Sequence, residues 1–345
     1  MIQKRSIPYT TIFILIALFA LLSMLITLCM GTVNIPIRET FRILQMHLGR
    51  EPLSREFVLS SSNQIIWQLR LPRVLLGFAV GCGLALCGAV MQAIVQNPMA
   101  EPYILGISSG ATLGATGAIF CGFSSLFAFF SFGGAAIACF AVLTLSSSTG
   151  KPTPTKLILS GMVINALFSA FSNFMISVAG DSDSVMSIKF WTMGSITRAS
   201  WDNLFLPILL VVCGAVFYYT QSRTLNILLL GDETAITLGV PIGIYRMIYL
   251  VVLSALTAVA VSCCGTIGFI GLIVPHVSRS FIGNDHKKLL PICTLLGGTF
   301  LIWMDAFART LVENSELPVG IFTALFGAPF FVYILVRRNY GFGGS

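Results

Sequence analysis

The 345 residues are 56% hydrophobic and only 10% charged, with a net charge of +7 and a mean hydropathy of +0.91. A soluble domain carries about 25% charged residues, so a soluble fold is excluded. The ten-residue alternating segments of a transmembrane barrel do not occur either. What remains is an all-α polytopic membrane protein in which residues 1–345 form a single membrane domain.

Apolar runs near 20 residues, the length that crosses a ~30 Å hydrocarbon core, recur along the whole chain. They predict ten spans, at about 10–30, 70–96, 103–120, 126–147, 156–179, 203–220, 244–264, 268–282, 289–310 and 319–336. The first follows Lys4 and Arg5. It is longer than a signal-peptide core and lacks an A-x-A-like cleavage site, so it reads as a true span. The eighth is short and should be interrupted at Pro275. An even number of spans puts both termini on one side. The Lys/Arg bias puts that side in the cytoplasm, with eleven basic residues inside (Lys4, Arg5, Lys151, Lys156, Arg223, Arg246, Arg279, Lys287, Lys288, Arg337 and Arg338) and nine outside (Arg38, Arg42, Arg50, Arg55, Arg70, Arg73, Lys189, Arg198 and Arg309). The pairs Lys4–Arg5 and Arg337–Arg338, which flank the first and last spans, support this, but six of the nine outer residues crowd into 38–73. Within that cluster Ile37, Phe41, Leu44 and Leu48 recur at spacings of three and four, which suits an interfacial amphipathic helix and equally a capped connector.

Between the second and third spans, "QNPMAEP" places two prolines four residues apart, which ends a helix and forces tight re-entry. Gly77 and Gly81, then Gly106, Gly110 and Gly114, are spaced for close helix contact. Cys87-Gly88 precedes Pro98 at the same interval as Cys264-Gly265 precedes Pro275, which is a faint sign of an internal repeat. The nine cysteines sit in apolar context without a C-x-x-C pair and read as small packing residues. Trp191 and Trp201, in the loop 181–204, fit a membrane interface. Asp305 and Arg309, at i and i+4, can pair. No chain of buried acids suggests an ion-driven carrier. "STGKPT" lacks the residues of a phosphate-binding loop, so nucleotide hydrolysis must come from another chain.

Between spans six and seven lies "LLGDETAITLGV", residues 229–240, a short polar piece. Asp232 and Glu233 suit a helix N-terminus, and Gly239 followed by Pro241 ends the helix. This stretch, "RLPR", "GAVMQAIVQNPMAEPYILGISSGA", "GTIGFIGLIVPHVSR" and "ELPVGIFTALFGAPFF" together resemble the FecCD-type permease subunits of type II ABC importers, a family that includes the vitamin B12 permease. The resemblance runs from about residue 10 to 338.

The resemblance implies the type II importer permease fold, working as a homodimer. The dimer would dock on two cytoplasmic ABC ATPase subunits and receive metal-chelate cargo from a substrate-binding protein. ATP and Mg²⁺ would belong to the ATPase. This chain would carry no catalytic site, metal or cofactor and bind no nucleic acid. Leu230, Gly231, Asp232, Glu233, Ala235, Leu238 and Gly239 would form the ATPase-coupling element. Arg70, Arg73 and Arg309 would meet acidic groups of the binding protein. The cytoplasmic gate would fall on Asn97, Met99, Pro154 and Thr155, the last two reading Pro-Thr where the B12 permease has Thr-Ser. Ferric siderophore leads among cargoes by its frequency in the family, ahead of haem, cobalamin and oxyanions. A stand-alone secondary carrier and a non-transporting scaffold are the rival classes, and both make the coupling motif an accident.

Overall fold

The computed structural model describes residues 8–49, 54–123, 126–148, 150, 152–178, 182–312 and 315–337. Lys4, Arg5, Arg50, Lys151 and Arg338, which entered the orientation count, lie outside them. The described residues form helices and no strands. In chain order these are α1 (Tyr9–Cys29), α2 (Ile37–Leu48), α3 (Arg55–Leu59), α4 (Ser61–Asn63), a π-helical stretch (Gln64–Arg70), α5 (Leu71–Val95), a 3₁₀ turn (Pro102–Leu105), α6 (Ile107–Phe120), α7 (Phe127–Ser147), α8 (Pro154–Val178) and α9 (Ser182–Thr192). There follow α10 (Trp201–Thr220), α11 (Ser222–Leu228), α12 (Asp232–Thr237), α13 (Ile242–Cys264), α14 (Ile270–Ile282), α15 (His286–Ala308) and α16 (Val319–Arg337).

Seven helical segments are long and apolar enough to cross a membrane, and α6, α14 and α16 are shorter apolar helices, which together match the ten expected spans. One boundary moved. The second span begins at Ser61 and runs 35 residues to Val95, about 52 Å at 1.5 Å per residue. That exceeds the hydrocarbon thickness, so its first turns project beyond it on the side that carries α2.

This long helix is also the axis of the fold. Its most apolar window is 89% buried, against 22% for α1 and α10. Helices α10, α13, α14 and α15 surround α5. Lipid tails are as apolar as leucine, so small residues and close contact hold such helices together. A Cβ at Gly88 would overlap the carbonyl of Gly271 on α14, and one at Gly81 would overlap that of Gly297 on α15. Gly81, Gly110 and Gly114 therefore sit at helix crossings, as their spacing suggested. Five of the cysteines, Cys82, Cys87, Cys139, Cys264 and Cys293, are buried packing residues.

Three expectations change, and one open alternative is decided. Helix α14 is not interrupted at Pro275. A proline frees the carbonyl four residues earlier. That carbonyl belongs to Gly271, and the Gln92 side-chain amide donates to it at 3.1 Å, so the helix continues. The Cys-Gly…Pro similarity is not a structural repeat, because Gly88 lies inside α5 whereas Gly265, with φ +69°, terminates α13. Trp191 is not interfacial but buried, edge-on to Phe127 at 4.9 Å, while Trp201 stays exposed beside Trp67. Helix α2 buries Thr40 and Ile43 and leaves Ile37, Phe41 and Leu48 exposed. Three of the four stripe residues thus face away from the protein, as an interfacial helix requires, while Leu44 packs against the bundle beside Leu28 and Val74.

Candidate functional site

At one end of the bundle α11 and α12 form two short helices between α10 and α13. Gly231, with φ +101°, turns the chain into α12, and Gly239, with φ +77°, turns it out. Both are left-handed conformations that suit glycine. Ala235 is fully buried and seats α12 on the bundle. Leu230, Ile236 and Leu238 are 62%, 64% and 58% exposed, and Glu233 is exposed among them. An apolar patch with an acidic residue on so short a projection, away from the lipid-facing helices, has the form of a contact surface.

Asp232 points the other way. It accepts from both terminal nitrogens of Arg246 on α13, at 2.8 and 3.2 Å, and from the Gln96 side-chain amide at 2.7 Å. Arg246 is 2% exposed and also donates to the Pro152 carbonyl at 3.0 Å. Gln96 also donates to the Leu228 carbonyl at 3.2 Å. Gln96 ends α5 in a left-handed conformation, φ +53°, which is uncommon for a side-chain-bearing residue.

The four residues assigned to the gate lie on either side of this knot. Asn97 and Met99 form the turn after α5, where the Asn97 side-chain oxygen accepts the Met99 N–H at 2.9 Å. Pro154 and Thr155 open α8, two residues beyond Pro152. Beside the turn is a cavity of about 550 Å³ lined by Gln92, Gln96, Asn97, His276 and Arg279. From the turn the chain re-enters the bundle. The partly buried Glu101 carboxylate accepts the Phe269 N–H at 2.7 Å, and the Tyr103 hydroxyl accepts that of Ile267 at 3.2 Å. Glu101 thereby caps one of the backbone N–H groups at the N-terminus of α14 that have no partner within the helix.

At the opposite end the three arginines come together, but each has partners within the chain. Arg70 is buried, and one of its nitrogens donates to the carbonyls of Leu28 and Cys29 at 3.1 and 3.0 Å. Arg309 donates to Thr27 O at 2.8 Å and lies 3.4 Å from Asp305. Arg73 contacts Asp305 at 2.9 Å and Glu316 at 2.8 Å. All three line a cavity of about 310 Å³ together with Glu316. The i, i+4 pairing of Asp305 and Arg309 is as expected, and Arg73 joins it.

Comparison with known proteins agrees with this geometry. Residues 17–337 match the model of the FecCD transport family. The chain belongs to the FecCD transport family. It is 40% identical to the cobalamin import permease BtuC of Halobacterium salinarum over 82% of this chain and 76% of that protein. It is 38% identical to the hemin transport permease HmuU of Yersinia pestis, covering 92% and 95%. The molybdate import permease MolB of Haemophilus influenzae is 38% identical, covering 81% and 83%. A solved inward-facing ABC transporter, described as of metal-chelate type, superposes with a TM-score of 0.81 at 33% identity, covering 95% of this chain and all of that one. This FecCD chain is therefore a multi-pass ABC importer permease of the type II class. It is not itself an enzyme, since separate ATPase subunits hydrolyse ATP.

Sequence reasoning passed over three residues at this site. Ile236 was not assigned to the contact surface, and Gln96 had no role. Arg246 counted only towards orientation. The signal for Arg246 was available: an arginine in the first turns of an apolar span needs a partner. The identity of that partner was not.

Proposed function

We propose that this chain is the membrane subunit of a binding-protein-dependent importer whose first cargo is a ferric siderophore. It functions as a homodimer in the cell (inner) membrane with both termini cytoplasmic. The observation that carries the coupling role is α12, which is anchored inward through Ala235 and Asp232 and exposes Leu230, Ile236 and Leu238 around Glu233. That surface fits a cleft on a cytoplasmic ATPase subunit, one for each permease copy. Binding and hydrolysis of ATP there move α12, and the gate at Asn97, Met99, Pro154 and Thr155 follows.

The cavity at the other end is where the binding protein docks. Arg70 and Arg309 are held by carbonyls of α1 and preset the field. Arg73 shares its charge with Glu316, which is 41% exposed, so an incoming carboxylate can exchange with Glu316. Several such pairs fix register more than they add affinity. Arg73→Glu should weaken association with the binding protein, and unchanged affinity in a titration against the reconstituted complex would remove this role.

A metal-chelate cargo is supported by the family and by the structural neighbour, while the cobalamin permease at 40% identity favours cobalamin as the second reading. Uptake of labelled ferric siderophore, haem, cobalamin and molybdate, with and without this chain in iron-limited cells, decides between them. Loss of one cargo names the substrate. Gly239→Pro and Glu233→Arg should each abolish ATP-driven uptake. Uptake that survives both, or that stops on collapse of the ion gradient while ATP persists, would favour a secondary carrier.

A further inference from the structure

The bonds around Asp232 form one connected path from the coupling helix to both gate segments. Asp232 is the first residue of α12. Its carboxylate meets Gln96, which adjoins Asn97, and Arg246, which holds the carbonyl of Pro152 just before Pro154 and Thr155. We propose that Arg246 and Gln96 are the positioning residues that transmit movement of α12 to the gate, Gln96 to the turn after α5 and Arg246 to the start of α8. The proposal rests on the coupling reading of residues 229–241.

Three physical features support it. A two-nitrogen guanidinium–carboxylate contact fixes orientation as well as distance, so Arg246 follows Asp232 instead of pivoting about one bond. Arg246 is 2% exposed while Asp232 is 35% exposed, so the guanidinium takes its partners from Asp232 and the Pro152 carbonyl and not from bulk water. A buried guanidinium left unpaired is strongly unfavourable, and the group therefore moves as a unit. Gln96 is held in a left-handed conformation at the end of α5, a sparsely populated state that persists only where its surroundings impose it. Its amide bonds to both ends of the α11–α12 connection, Leu228 and Asp232, and supply that constraint.

The test is hydrogen–deuterium exchange of the full chain with its ATPase subunits in nanodiscs, with and without ATP and vanadate. In the unaltered protein, ATP should change exchange in three segments: 230–239, 97–101 and 152–157. Arg246→Gln should keep the change in 230–239 and lose it in 152–157. Gln96→Gly removes the amide and suits the left-handed backbone, so it preserves the fold. It should lose the response in 97–101 and keep it in 152–157. A merely structural role would not separate the two segments. Gate segments that respond in both variants as in the unaltered protein would overturn the proposal. If 230–239 is silent towards ATP in the unaltered protein, the coupling reading itself falls, and this proposal with it.

Discussion

Asp305 is a single carboxylate held between two guanidiniums, Arg73 and Arg309, and it is 2% exposed. Removing one partner of a buried ionic group leaves the rest uncompensated, at a cost of about 3–5 kcal/mol. Asp305→Asn should therefore lower the thermal unfolding midpoint in nanodiscs sharply. Glu316, exposed on the far side of Arg73, contributes about 1 kcal/mol or less, and Glu316→Gln should shift the midpoint little. Equal shifts would show that the pair is not as buried as described. The glycines allow a similar contrast. Gly88→Ala must push α5 off the Gly271 backbone, and such overpacking costs typically about 1–3 kcal/mol. Gly243→Ala meets nothing within 4 Å and should stabilise α13 by about 0.5–1 kcal/mol. Opposite signs in the two melting curves are expected.

Helix ends decide how α15 starts. Asp285 caps it by accepting the Lys287 N–H at 3.1 Å and the Asn226 amide at 2.9 Å. The Asn226 hydrogen bond foremost, aided by the Lys287 N–H and opposed by partial burial, holds the Asp285 carboxyl below its ordinary value. A carboxylate lowered by folding adds stability that is present above its unfolded pKa and is lost as the pH falls through its folded pKa. Asp285→Ala should cost about 0.5–2 kcal/mol near neutral pH. The gap between variant and parent should shrink as the pH drops through the carboxylate range. A gap that does not change with pH would mean the charge of Asp285 has no part in the cap. The turn between α5 and α6 follows the same logic: "NPMAEP" ends the helix, and Glu101 then caps α14 from a distance.

At the scale of the molecule, the proposed orientation puts both termini in the cytoplasm. On that reading a fluorescent protein fused after residue 345 should fold and fluoresce, and a phosphatase that is active only outside the cytoplasm should stay inactive there. An active phosphatase would invert the orientation, and with it the sides assigned to α12 and to the arginine cavity. The exposed apolar faces of α8, including Leu159, Met162, Leu167 and Phe174, offer area for lipid or for a second copy of the chain.

Class, span number and the α12 motif were readable in the sequence because each depends on neighbours in the chain. In lipid a run of about 20 apolar residues must satisfy its backbone hydrogen bonds within itself, and the short helix is bounded by its own glycines. The bonding of the charges was not readable. Arg73 meets Asp305 across 232 residues, Gln96 meets Asp232 across 136, and Arg246 meets the Pro152 carbonyl across 94. The sequence by itself determined that arginines stood near both ends of the spans. Only the packing of α1, α5, α13 and α15 decided which carbonyl or carboxylate each one faces, because a buried charge is bound by whatever the fold brings beside it.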